Sequence, residues 1–203
     1  MNKDYSYSYE YDKQYCYPNS DVLINKLGIK NAEDLKKAER EITSIRLANA
    51  RINKVKGDFD LQHLKDIHRY IFQDIYEWAG EIRWVNIAKG NMFCNYSFIE
   101  TNAESLFSKL KNEKYLKEVS EKDMPIRLAY YLSEINVIHP FREGNGRAQR
   151  LFIEYLAEEN GYSIDFSQVT GEEMIKASAE SFICQYESMN KLFERITKKS
   201  EIY

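Results

Sequence analysis

Apolar side chains return every three or four positions through most of this chain, and that spacing constrains its fold more than any other feature. Leu35, Ala38, Ile42, Ile45 and Ile52 line one face of a helix that begins after Asn31, a residue suited to an N-cap. Gly57 breaks that run. Leu61, Leu64, Ile67, Ile71, Phe72 and Ile75 write a second helix, with Asp60 near its start and Gly80 after its last turn. A third is predicted over Ala103 to Leu116. In the fourth, Pro125 sits in the first turn and Ile126, Ala129, Leu132, Ile135 and Ile138 share a face. It ends by His139-Pro140, because proline disfavours helix in the residue before it. A fifth carries Leu151, Phe152, Tyr155 and Leu156 after the glycines at 144 and 146, and a sixth spans roughly Glu172 to Ile196. Between Glu81 and Ile99 the helical period is lost, and aromatic and β-branched residues flank Lys89-Gly90-Asn91 as in a short hairpin or flap. The expected fold class is all-α, a helical bundle with one small β-hairpin flap.

A chain of 203 residues can bury one real core and is too short for two large domains. Its net charge is −3 with both signs interspersed, which provides no global pull toward nucleic acid or an anionic membrane. No apolar run reaches membrane-spanning length, and the opening MNKDYSYSYEYDKQ lacks the apolar stretch of a signal peptide. The three cysteines, Cys16, Cys94 and Cys184, are scattered without a CxxC pair, and there are only three histidines. That argues against a zinc site and for a reducing compartment, so a cytoplasmic location is expected. Residues 1–17 hold Tyr5, Tyr7, Tyr9, Tyr11, Tyr15 and Tyr17, the first four alternating as in a strand. No second alternating run follows close by, so a mobile or surface-laid arm is expected in place of a free strand. The division is then an arm over 1–17, a domain over 18–198 and a tail over 199–203.

The segment that carries chemistry is HPFREGNGRAQR, residues 139–150, between the fourth and fifth helices. A helix N-terminus offers unpaired N–H groups and a positive dipole end, which suit phosphate oxygens. Gly144 and Gly146 let the backbone approach a ligand closely. Arg147 and Arg150, three apart, share a face of the following helix and together make a polyphosphate cradle. A first turn is a poor place for cations unless a polyanion binds there. Glu143 supplies a hard oxygen ligand of the kind a magnesium ion bridging two phosphates needs. His139 is the only side chain in the segment whose ordinary pKa lies near neutrality. These ingredients point to phosphoryl or nucleotidyl transfer. They do not suit acyl transfer, for the segment holds no serine or cysteine nucleophile, and neither GxxxxGKS/T nor GxGxxG occurs.

The segment resembles the Fic signature, HxFx(D/E)GNGRxxR, at every specified position: His139, Phe141, Glu143, Gly144, Asn145, Gly146, Arg147 and Arg150. YPNSDVLINKLGI (17–29) is similar to the opening of short bacterial Fic proteins, HLKDIHRYIFQDIYEWAGEIR (63–83) to their second helix, and NIAKGNMFC (86–94) to their target-docking flap. The resemblance covers residues 17 to about 196. It implies a Fic fold and a protein adenylyltransferase that moves AMP from ATP to a target hydroxyl, with magnesium. His139 would take the hydroxyl proton, and Glu143 would hold the metal. Asn145 and the N–H groups of Gly144 and Gly146 would form the anion hole. Arg147 would face the β-phosphate, Arg150 the γ-phosphate, and Phe141 would anchor the loop in the core. Lys89, Gly90, Asn91, Met92 and Phe93 would belong to the flap that pairs with a target strand.

Two rival readings stay open at this stage: a Doc-like phosphotransferase or other nucleotidyl transferase of the same fold, and a catalytically silent nucleotide-binding adaptor. Gly146, where the Doc-like branch carries lysine, favours AMP transfer, and an intact His139 and Glu143 speak against a silent binder. Arg142 is an unspecified position expected to face solvent. His63 and His68 are read as packing or surface residues of the second helix, and Trp78 and Trp84 as core or hinge anchors. Cys94 has nothing nearby to lower its pKa. The arm's hydroxyls are plausible self-modification sites. Many Fic enzymes are restrained by a helix carrying (S/T)xxxE(G/N), but here Ser6 to Glu10 is followed by Tyr11, and Ser181 has Gln185, not glutamate, four residues later. The expectation is no effective restraint in cis, with a small antitoxin-like protein in trans as the alternative. The end of the chain near the sixth helix suggests a resident bacterial enzyme over an exported effector.

Overall fold

The computed structural model describes residues 8–9 and 14–200; Tyr5, Tyr7, Tyr11 and the Ser6, Glu10 pattern of the arm lie outside them. In chain order the elements are β1 (Ser8–Tyr9), α1 (Ala32–Ile52), α2 (Leu61–Phe72), β2 (Ile87–Lys89), β3 (Asn91–Met92) and α3 (Ile99–Asn112). They continue with α4 (Met124–Ile138), α5 (Asn145–Glu159), β4 (Tyr162–Ile164), α6 (Gly171–Phe182), α7 (Glu187–Ile196) and β5 (Thr197–Lys199). The starts are chemically marked. The Asn31 side chain accepts from the amides of Glu33 and Asp34, Asp60 accepts from His63, and Thr170 forms a reciprocal capping box with Glu173.

Helix α5 is the centre of the bundle. It packs against α2 and α4, and Ala148, Leu151, Phe152, Ile153, Tyr155, Leu156 and Ala157 leave water on nearly every side of it. Phe72 from α2 and Leu128 from α4 close the core around it. Each such large side chain contributes roughly 1.5–3 kcal/mol by burial. Helix α4 is clamped on its other side by α7, so the junction between α4 and α5 is held from several directions.

Three expectations about element ends are corrected. Helix α2 stops at Phe72, where the amides of Ile75 and Tyr76 both turn back to the Phe72 carbonyl, although Ile75 is still buried. The third helix starts at Ile99 and ends at Asn112, because Lys114, Tyr115 and Leu116 take positive φ angles of 51°, 55° and 68°. The expected single helix from Glu172 to Ile196 is two, α6 and α7, reversed at Cys184 with φ 63°. No glycine or proline marks that break, and apolar Met189, Leu192, Phe193 and Ile196 continue the pattern beyond it.

The flap, β2–β3, is where the sequence placed it, but it has a third strand. Tyr9 pairs with Ile87 and Ser8 with Ala88, antiparallel, so the arm's partner strand lies far along the chain and not close by. A second small sheet, β4 with β5, pairs Tyr162 with Lys199 and Ile164 with Thr197. Tyr15 and Cys16 are buried, so the last residues assigned to the arm pack as part of the domain. Trp84 is 44% exposed, stacked on Tyr15 at 4.9 Å, and is not a core anchor.

His63 and His68 are both buried. Nδ1 of His68 accepts from the Gly80 N–H at 2.8 Å and its Nε2 faces the Glu143 carbonyl at 2.9 Å. His63 is held alike, between the Phe59 N–H and the Val55 carbonyl. A neutral ring protonated on Nε2 satisfies both partners, whereas a second proton would point at an N–H donor. Burial lowers the pKa of His63 and brings that of His68 down to about 3. The unfolded chain takes these protons near ~6.5. Their stabilising effect is therefore complete above that pH and declines below it, for His68 down to about 3, at roughly 1.4 kcal/mol per pH unit for each proton withheld. Urea midpoints measured from pH 7.5 to 5 are expected to fall, and to fall less steeply in His68→Gln.

Candidate active site

The site is built on the reversal between α4 and α5. His139 ends α4 in the left-handed region, φ 48° and ψ 62°, with its N–H still bonded to the Ile135 carbonyl at 3.0 Å. The chain then descends into the core, where Phe141 stacks on His68 with ring centres 3.9 Å apart. Asn145 closes the loop by two bonds to one residue, accepting from the Phe141 N–H at 2.9 Å and donating to its carbonyl at 2.7 Å. Gly144 precedes α5 with φ 81°, and a Cβ there would lie 2.2 Å from Cζ of Phe72. Only glycine satisfies both conditions. No side chain caps α5; the Arg147 N–H bonds to the Gly144 carbonyl at 3.1 Å, and no capping side chain takes the N–H groups of Asn145 and Gly146 before it.

A cavity of about 170 Å³ opens beside this reversal. Asn136, His139, Gly146, Gln149 and Arg150 line it from α4 and α5, and Lys89, Asn91 and Phe93 from the flap. Helix α6 provides a mainly apolar wall of Met174, Ile175, Ala179 and Phe182, with the hydroxyl of Ser178. Phe93 lies flat on the His139 imidazole, centres 3.7 Å apart and planes 12° from parallel. Burial first, then the charges of Arg83 and Lys89, brings His139 down to about 3, so its ring is neutral at physiological pH. Its Nδ1 lies 3.3 Å from the Asn136 carbonyl. A proton held there makes Nε2 the basic nitrogen.

The two motif arginines part company. Arg147 turns toward α1, meeting Glu39 at 2.6 Å, Thr43 Oγ1 at 3.1 Å and Glu143 at 3.4 Å, with its guanidinium 4.6 Å over the Phe72 ring. Tyr76 donates to the other oxygen of Glu39. Arg150 stays in the cavity wall and forms no hydrogen bond or ion pair with the described residues. Burial and the neighbouring Arg147 lower its pKa. Gly146 makes room for it, since a Cβ there would come within 3.1 Å of Nη1.

Glu143 is partly buried, and desolvation followed by the charge of Glu39 raises its pKa. The carboxylate is a hard oxygen donor, and magnesium held on a nucleotide needs only one or two of these beside phosphate oxygens, so the donor set fits. Two expectations change. Arg142 is buried, not in solvent, with its guanidinium 5.7 Å from the Tyr15 ring, because residues 14–17 fold over it. The Asn145 side chain is committed to the loop, so its part in an anion site falls to its backbone N–H. Sequence reasoning missed Glu39, the structural bonds of His68 and the wall of α6. The spacing of Met174, Ser178 and Phe182, four apart, marked a helix face without saying what it faces.

Residues 58–157 match the Fic/DOC family. The protein adenylyltransferase VbhT of Bartonella schoenbuchensis is 41% identical over 182 residues, which are 89% of this chain and 38% of that protein. The chain thus spans well under half of that relative. An Escherichia coli protein named "Probable protein adenylyltransferase Fic" is 35% identical over 188 residues, 92% of each chain. The N-terminal Fic domain of a VirB-translocated Bep effector of Bartonella quintana, solved with bound ADP, superposes with a TM-score of 0.87 at 34% identity, covering 92% of this chain and 95% of that one. BepC of Bartonella tribocorum, solved with bound AMPPNP, gives 0.86 at 29% identity, covering 92% and 97%.

The unpaired Arg150 yields a test. Arg150→Ala is expected to weaken ATP by roughly 10–100-fold, the worth of a charge-assisted bond, while AMP binding changes little. Calorimetry with the two nucleotides checks this; an equal loss for both would move Arg150 off the terminal phosphate.

Proposed function

Because this chain belongs to the Fic/DOC family, we propose that it transfers AMP from ATP to a serine, threonine or tyrosine hydroxyl of a target protein and releases pyrophosphate. The observation that carries this reading is one cavity lined by a buried neutral imidazole, His139, and by Arg150, an arginine with no carboxylate partner among the described residues. Nε2 of His139 takes the acceptor's proton as the oxygen bonds to the α-phosphorus and the bond to the bridging oxygen of pyrophosphate breaks. The N–H groups at the start of α5 take the phosphate oxygens, and Arg150 takes the terminal phosphate. Arg147 does not line the cavity and is held by Glu39 and Glu143, so its part toward the β-phosphate rests on the family signature alone. The apolar wall of α6 suits a purine face. ADP and AMPPNP in the related structures support ATP as the substrate.

Glu143 is the residue that would hold magnesium, which, when bound, neutralises phosphate charge. The flap, with Lys89, Gly90, Asn91, Met92 and Phe93, presents the target segment by strand pairing. The pairing of β1 with β2 supports the chain's own arm as an additional acceptor. We place the enzyme in a bacterial cytoplasm, where the free thiols of Cys16, Cys94 and Cys184 would stay reduced. Restraint in cis is not expected. Gln185 is exposed between α6 and α7 and does not line the cavity, and no carboxylate among the described residues pairs with Arg150. A small antitoxin-like protein offering a glutamate to Arg150 is the form of control the site fits.

With labelled ATP and magnesium, wild type is expected to label protein, and His139→Ala to lose ~10²–10⁴ in rate while keeping its ATP affinity. Wild-type rates in the variant would remove His139 from the base role. A chain beginning at Gln14 is expected to lose self-label and to label targets within tenfold of the intact chain. A larger gain would make the arm an inhibitor.

A further inference from the structure

The largest fully buried polar side chain among the described residues, Arg83, lies outside the signature and outside the cavity wall. It is 1% exposed, and no carboxylate among the described residues is hydrogen-bonded to it. All of its acceptors are backbone carbonyls. Nε donates to His139 at 2.8 Å, one terminal nitrogen to Val85 at 2.5 Å, and the other to Cys94 at 2.6 Å and, at 3.4 Å, to Ile138. Its own N–H donates to the Pro140 carbonyl at 2.8 Å.

These acceptors fall in two groups. Val85 lies just before β2 and Cys94 just after β3, so they are the two roots of the flap. Ile138, His139 and Pro140 are the end of α4 and the start of the reversal. A planar guanidinium with its donors in a fixed fork bridges both groups at once; an ammonium, with its donors at one point, cannot. The carbonyl end of a helix also carries partial negative charge, which offsets the cost of a buried cation.

We infer that Arg83 is a positioning residue that locks His139 and the flap into one frame, so that a hydroxyl carried on the flap meets the imidazole. The inference rests on the transfer reading above. Two further contacts run along the same seam: the Cys94 N–H donates to the Val137 carbonyl at 3.0 Å, and Phe93 lies against the imidazole at 3.7 Å. His139 is itself in a left-handed conformation that only surrounding contacts sustain, and Arg83 holds its carbonyl. The phosphate side is built separately. Gly144, Asn145, Gly146 and Arg150 form no hydrogen bond with Arg83; their loop is closed by Asn145 and His68.

This separation defines the experiment. Arg83→Lys and Arg83→Gln in the full chain are compared with wild type for ATP affinity by calorimetry and for label transfer to protein at saturating ATP. ATP affinity is expected to stay within about threefold. Misplacement of base against acceptor on the order of 1 Å costs roughly 10² in rate. Transfer should therefore drop by about that factor in Arg83→Gln, with part of it restored in Arg83→Lys, which keeps the charge and some donors. Transfer within threefold of wild type in Arg83→Gln would overturn the inference. So would loss of ATP binding together with transfer, whether by local collapse or failure to fold, because Arg83 would then support the whole domain. Absence of transfer by wild type itself would instead refute the proposed activity, and is thereby kept distinct.

Discussion

A chain that reverses inside its own core must find partners for every polar backbone group it withdraws from water. That requirement governs the turn between α4 and α5, and the rest of the site follows from how it is met. Asn145 takes both backbone groups of Phe141, His68 takes the Glu143 carbonyl, and Arg83 takes those of Ile138 and His139. With its carbonyls satisfied from outside, the loop keeps His139 in a left-handed conformation and leaves the start of α5 without a capping side chain. The imidazole of His139 and the guanidinium of Arg150 then stand beside one cavity.

The electrostatics follow from burial more than from pairing. Taking the imidazole of His139 out of water, next to the charges of Arg83 and Lys89, holds it neutral, which is the state a general base needs. The two motif arginines sit three residues apart on one helix yet differ in kind. Arg147 is held by Glu39, Thr43 and Glu143, whereas no carboxylate among the described residues pairs with Arg150. The protein has thus prepared one cation by fixing its geometry and the other by leaving its charge unmet. Glu39, on α1, is what divides their roles.

Helix content and the position of the signature were legible because both depend on local spacing. The caps at Asn31 and Asp60, the stop at His139-Pro140 and the helix-loop-helix around the glycines are where side-chain pattern and backbone chemistry agree within a few residues. The break between α6 and α7 was not legible. Cys184 adopts a positive φ without being glycine, and the apolar period carries on across it. Nor was the solvent reading of Arg142 sound, since the segment that covers it lies more than a hundred residues away.

What the sequence determined by itself was the list of chemical groups and their order: a histidine at a helix end, a glycine-bracketed turn, and two arginines on the helix that follows. Those are properties of neighbours along the chain, and helical geometry converts spacing into position over a turn or two. What only the tertiary structure decided was which of these groups meet. Arg150 and His139 share a cavity while Arg147 does not, because α1 brings Glu39 to Arg147 from 108 residues away. The arm found its partner strand at Ile87 and Ala88, and Arg83 found the His139 carbonyl from 56 residues away. Contacts at such separations are set by how the helices stack around α5, and no local pattern of side chains encodes that.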